Sequence, residues 1–148
     1  MRVRSTILPS PLDEQRVQQL TDLADAIVDT VHDGDDPLPL ITEFNSATAS
    51  DLDVAAFHSA WEGSGTRTLV ETILRPAPAR VSDITDHELL EIITYLMEGE
   101  GTPSEESYWL DFLDRNLPHP AISDLIYYDD LTSDEVLRRA KTYQPILL

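Results

Sequence analysis

The chain has 148 residues, 41% of them hydrophobic and 26% charged, enough to bury one ordinary core or two small ones but too few for a large multidomain machine. Twenty-eight acidic residues against ten basic ones leave a formal charge of -18, which solvated helix faces can carry and which favours a basic partner over phosphates or anionic headgroups. With no cysteine, disulfides, thiolate metal sites and thiol nucleophiles are excluded, and stability must come from packing.

The opening MRVRSTILPSPLDEQ carries arginines but no apolar stretch long enough for a signal peptide. No later run approaches the roughly 20 residues needed to cross a bilayer, so a cytoplasmic protein without membrane contact is expected. Apolar residues recur at helical spacing and long alternating runs are missing, which predicts an all-α fold. Ser10 and Pro11 are placed to start a long helix carrying Leu20, Leu23, Ile27 and Val31, and HDGDD breaks it. Pro37 starts a second, with Leu40, Ile41 and Phe44. LDVAAFHSAW and, after the EGSG break, TRTLVETIL complete this half. Phe57 and Trp61, four apart, read as core residues more readily than as an interface patch. RPAPAR, residues 75–80, reads as a proline-stiffened linker, dividing the chain into a helical domain over 1–78 and a second domain over 79–148.

In the second half, Leu89, Leu90, Ile92, Ile93, Leu96 and Met97 form a broad apolar stripe. Thr85 and Glu88 fit a capping box, so this helix should run from about Asp86 to Glu98 and stop at Gly99. Thr102, Pro103 and Glu105 start the next, which carries Trp109, Leu110, Leu113 and Leu117 and cannot pass far beyond Asn116, because Pro118 and Pro120 bracket His119. ISDLIYY is too short for a stable free helix and depends on its neighbours. Thr132 and Glu135 open a last helix with Val136, Leu137, Ala140 and Tyr143 inward, closed by Pro145.

Laying residues 23–37 on 89–103 pairs Leu23 with Leu89, Ile27 with Ile93, Val31 with Met97 and Pro37 with Pro103. Laying 65–78 on 132–145 pairs Leu69 with Val136, Val70 with Leu137 and Pro78 with Pro145. Such matches fit a divergent tandem repeat, and equally an unrelated helical domain or a single fused bundle.

On a helix Asp124 lies three residues before Tyr127 and four before Tyr128, so the carboxylate shares a face with at least one phenol while Ile122, Leu125 and Ile126 turn to the core. Tyrosine suits protein contacts, offering large area at little rotamer entropy and one hydroxyl. VSDITDHELLEIITYLMEGE, an acidic helix beginning SEES, then HPAISDLIYY and SDEVLRRAKTYQ, in that order over residues 81–144, resemble the colicin and pyocin immunity proteins that neutralise nuclease bacteriocins. The resemblance implies a compact four-helix domain with a very short third helix, which inhibits the cytotoxic nuclease domain of a cognate bacteriocin by covering a surface beside its active site. It implies a shared anchor at Asp124, Tyr127 and Tyr128. It also implies partner discrimination on the second helix at Ser107, Asp111 and Asp114, with Glu106, Tyr108 and Leu110 beside them, these matching in pattern rather than in residues. Two departures stand out. Asp129 and Asp130 occupy positions where the family often has proline, and the chain is about twice the family's usual length.

Other chemistry finds little footing. His32, His58, His87 and His119 have no ligand-like spacing, and there is no HExxH, phosphate-cradling loop or G-x-S-x-G, so neither catalytic residues nor a metal or cofactor are expected. The aspartates of HDGDDP lack the later ligands of a calcium loop. The rival reading is an acidic nucleic-acid mimic or adaptor whose charge occupies a basic groove directly. Oligomeric state is not encoded in any of these features.

Overall fold

The computed structural model describes residues 1–144. Among the described residues the chain forms eight α-helices and one 3-10 turn, Ser5–Ile7, with no strand, as the helical periodicity predicts. Backbone contacts divide it into two compact units, one of Ser10–Pro76 and one of Met1–Pro9 with the chain from Ala77 onward.

The first unit contains α1 (Glu14–His32), α2 (Leu38–Thr48), α3 (Val54–Glu62) and α4 (Thr66–Leu74). The first helix begins at Glu14 instead of at Ser10 and Pro11, because the Asp13 carboxylate accepts the Gln15 N–H at 3.1 Å and satisfies an orphan donor. Its buried stripe of Val17, Leu20, Ala24, Ile27 and Val28 packs on the other three helices, where Phe44 and Phe57 meet edge to face at 5.0 Å. Phe57 is 1% exposed, as expected, but Trp61 is 51% exposed. The helix ends one residue later at Glu62, so no further turn folds over the indole.

The second unit contains α5 (Asp86–Glu98), α6 (Pro103–Asn116), α7 (Ile122–Tyr127) and α8 (Ser133–Thr142). Thr85 and Glu88 form the expected capping box, and Gly99 takes the left-handed conformation (φ 64°) that ends α5. Thr102 and Thr132 accept the backbone N–H of Glu105 and Glu135. The core is built from Leu89, Ile92, Ile93 and Leu96 of α5, Trp109, Phe112 and Leu113 of α6, the apolar side of α7, and Val136, Leu137 and Ala140 of α8. Leu90, Met97, Leu110 and Leu131 pack partly buried at its margin. Tyr143 is half-buried with its ring 4.8 Å from His119. Pro145, expected to close α8, lies outside the described residues.

Residues 1–9 differ from the expected division at 78 and 79, since they join the unit that lies far from them in sequence. Ile7 enters its core at 4% exposure, and the Tyr108 hydroxyl donates to the Ile7 carbonyl at 2.8 Å. Arg4 donates to Glu88 through Nη2 at 2.7 Å and Nε at 2.9 Å, and to Asp83 through Nη1 at 2.8 Å. Glu88 is only 7% exposed, yet the Arg4 guanidinium holds its carboxyl at a pKa of about 2 against the opposing effect of burial. One carboxylate thus closes the α5 cap and ties down the chain terminus.

Candidate protein-binding site

The outward face of α7 follows from what surrounds it. Pro118 and Pro120 keep the preceding segment out of helical geometry, and the Ala121 N–H donates to His119 Nδ1 at 3.0 Å, where the helix begins. His119 is therefore the turn residue its flanking prolines suggest. Six residues are too few for autonomous helicity, and α7 is held by Ile122, Leu125 and Ile126, at 1%, 4% and 6% exposure, packed among α5, α6 and α8.

With those three side chains inward, helical rotation turns Ser123, Asp124, Tyr127 and Tyr128 to solvent. Tyr127 is 44% exposed and Tyr128 79% exposed. Tyr128 is the C-cap, its N–H donating to the Asp124 carbonyl at 3.0 Å. The backbone then reverses through Asp130 in the left-handed region (φ 51°), which a short polar side chain tolerates, and Leu131 returns to the core. Asp129 and Asp130 therefore end the segment without proline.

Tyr127 also connects α7 to α6. Partial burial, and then the Glu106 carboxylate, push its phenol above the ordinary tyrosine range, so it remains an O–H donor at neutral pH. On α6, Ser107 and Asp114 are exposed and Asp111 is half-exposed, all within one narrow sector of the helix. Asp111 pairs with Arg115 at 3.0 Å, and Asp114, although exposed, is raised in pKa by the partial loss of water around it on the helix surface and then by Asp111. Glu106 flanks this sector on the α7 side. Leu110 is half-buried against the core.

Tyr108 flanks the opposite side, about 200° around the helix from Glu106 at 100° per residue. Its hydroxyl serves the N-terminal segment and its ring packs edge to face on Trp109 at 5.1 Å. Of the residues singled out from sequence, Asp124, Tyr127, Tyr128, Glu106, Ser107, Asp111 and Asp114 thus line adjoining surfaces of α6 and α7. Tyr108 is drawn away by a contact spanning 101 residues, for which its own neighbourhood carries no signal. Among the described residues, no group of three or more His, Cys, Asp or Glu side chains is arranged to hold a metal ion, and no helix is long and apolar enough to cross a membrane.

Residues 81–145 match the family model described as colicin immunity protein / pyocin immunity protein. The uncharacterized protein YezA of Bacillus subtilis (strain 168) is 35% identical over 63 residues, which cover 41% of this chain and 93% of that protein. The chain belongs to the colicin/pyocin immunity protein family. The matched segment contains α5 to α8 and with them the whole of the α6 and α7 surface. No solved structure matches the chain. Family membership supports a bacteriocin immunity role and implies a cognate bacteriocin as partner. Ser10–Pro76 lies outside the matched segment, as do Arg4 and Ile7, which complete the matched unit's core and caps.

Proposed function

We propose that the protein binds and inhibits the cytotoxic nuclease domain of its cognate bacteriocin, using Asp124, Tyr127 and Tyr128 as the anchor and the outward side of α6 to select the partner. The observation that carries this reading is the division of one six-residue helix into three sealed apolar side chains and two adjacent tyrosines left 44% and 79% exposed. Neighbouring exposed aromatics contribute little to a monomer's stability, whereas on a binding surface they supply the buried area of a hot spot.

A nuclease domain attracts phosphate and is therefore basic. The acidic face steers its approach, and the packed phenols slow its departure. Binding beside the nuclease active site would keep nucleic acid off by bulk and like charge, needing neither catalysis nor a cofactor in the inhibitor. This chemistry suits the cytoplasm of a producing cell. The matched unit is the inhibitory domain in this reading.

The test is to look in the neighbouring reading frame, where a large gene ending in a basic nuclease domain is expected, and to follow copurification and calorimetry with its product. Tyr127→Ala and Tyr128→Ala should each weaken binding by about 2 kcal/mol or more. Neutralising single acids of the matched unit away from α6 and α7 should change affinity little. A uniform, gradual loss at every carboxylate, with a steep salt dependence and no special role for the tyrosines, would instead identify an acidic mimic of nucleic acid.

A further inference from the structure

The first unit carries an exposed aromatic surface of its own. Trp61, at the end of α3, is 51% exposed and Val54, at its start, is 41% exposed. His32, at the end of α1, meets the indole edge to face with ring centroids 4.7 Å apart, and His58 stacks on it at 6.1 Å and 30°. Both histidines are exposed. The adjacent apolar notch between α1 and α3 has a volume of about 10 Å³, room for about one water, so the surface suits a protein partner rather than a small molecule.

Charge selects that partner. Between Ser10 and Pro76 thirteen acidic side chains oppose three basic ones, a net of -10. Asp33 follows His32 directly, and Glu62 follows Trp61 and bonds His58 at 3.1 Å. Arg67 is held elsewhere by Glu14 and Glu71. A second copy would bring like charge against like, and nucleic acid or an anionic bilayer would be repelled. An indole face beside carboxylates instead suits a guanidinium or ammonium group, which gains both cation–π attraction and ion pairing.

We propose that Trp61, with His32 and His58 against its ring, Glu62 bonded to His58, and exposed Val54 at the start of α3 and Asp33 at the end of α1, forms a second docking surface for an arginine- or lysine-bearing segment of the cognate bacteriocin. The inference rests on the immunity reading above and assigns a binding role to the unit outside the family match.

The experiment titrates the full-length protein with the bacteriocin and follows tryptophan emission under acrylamide. Trp109 is 2% exposed, so in the free protein quenching reports Trp61. A parallel titration of Trp61→Phe supplies the emission of Trp109 and of the bacteriocin's own tryptophans to be subtracted. In the complex Trp61 should become protected. Trp61→Ala should weaken binding about 10- to 30-fold, the scale of an aromatic hot spot, with Trp61→Phe retaining most of the affinity. Trp61 remaining quenchable, with Trp61→Ala binding normally while Tyr128→Ala does not, overturns this surface and leaves the α7 reading intact. Loss of binding in Trp61→Ala but not in Tyr128→Ala supports this surface and overturns the α7 anchor. No effect of either substitution overturns both. Self-association abolished by Trp61→Ala, with unchanged affinity for the bacteriocin, overturns the proposal in favour of a second copy.

Discussion

The two units solve the same packing problem with different third helices. In each, the first helix packs on the second, third and fourth, and the third packs on the fourth. The second unit's third helix, α7, has six residues, too few to stand alone, and its whole apolar side is consumed by the core. The first unit's α3 has nine residues and an Asp53 side chain accepting the Ala56 N–H at 3.1 Å, and it buries only Phe57. A short helix clamped on three neighbours can present a rigid tyrosine pair, whereas a longer, capped helix held by one large side chain leaves its far end to carry Trp61. The register relating the halves shows the same mixture. Ile27 and Ile93 are both fully buried, and Val31 and Met97 are both half-buried, but Leu23 is half-buried where Leu89 is sealed.

The largest expected effect breaks or upholds the independence of the two cores. Ile27→Ala and Ile93→Ala should each cost about 2–5 kcal/mol, the range for deleting a buried branched side chain. Scanning calorimetry should find each substitution lowering a different transition. One transition lowered equally by both would show that the units unfold together.

Tyr128→Ala should cost about 2 kcal/mol or more in bacteriocin binding while altering stability by less than about 0.5 kcal/mol, since the side chain is 79% exposed. A comparable loss of thermal stability would mean that this tyrosine serves the fold instead. Cap removal is smaller: Thr85→Ala in the second unit and Asp53→Ala in the first should each cost about 1 kcal/mol, measurable by urea denaturation.

Acid should separate the units more finely. Glu88 ionises at about 2 in the folded protein, below its ordinary 4.5, so its contribution is complete above the unfolded value and is lost as pH falls from about 4.5 through about 2. The second unit should lose stability across that interval, and Arg4→Ala should flatten the dependence there. An unchanged acid profile in Arg4→Ala would refute the pairing of the N-terminal segment with α5. The smallest effect belongs to the α6 rim, where Asp114→Asn should reduce affinity only severalfold and act mainly through the salt dependence of association.

Much of the fold was legible because its signals are local. The Thr85 and Glu88 box, Gly99, and Thr102 with Pro103 each act within a few residues, and they bound α5 and α6 where expected. The alternation of apolar and outward residues in ISDLIYY likewise separated Leu125 and Ile126 from Tyr127 and Tyr128. Local signals misled at Ser10 and Pro11, since Asp13 offered a better side-chain acceptor to the first helical turn.

Local signals along the chain set the helical periodicity, the caps of α5, α6 and α8 and the outward face of α7, because a backbone N–H and an apolar period reach only three or four residues. Tertiary structure alone decided that Arg4 would pair with Glu88, that Tyr108 would serve Ile7, and that Trp61 would remain outside the core. Those outcomes depend on which surfaces meet across many tens of residues, where complementarity of shape and charge chooses the partner and no spacing along the chain encodes it.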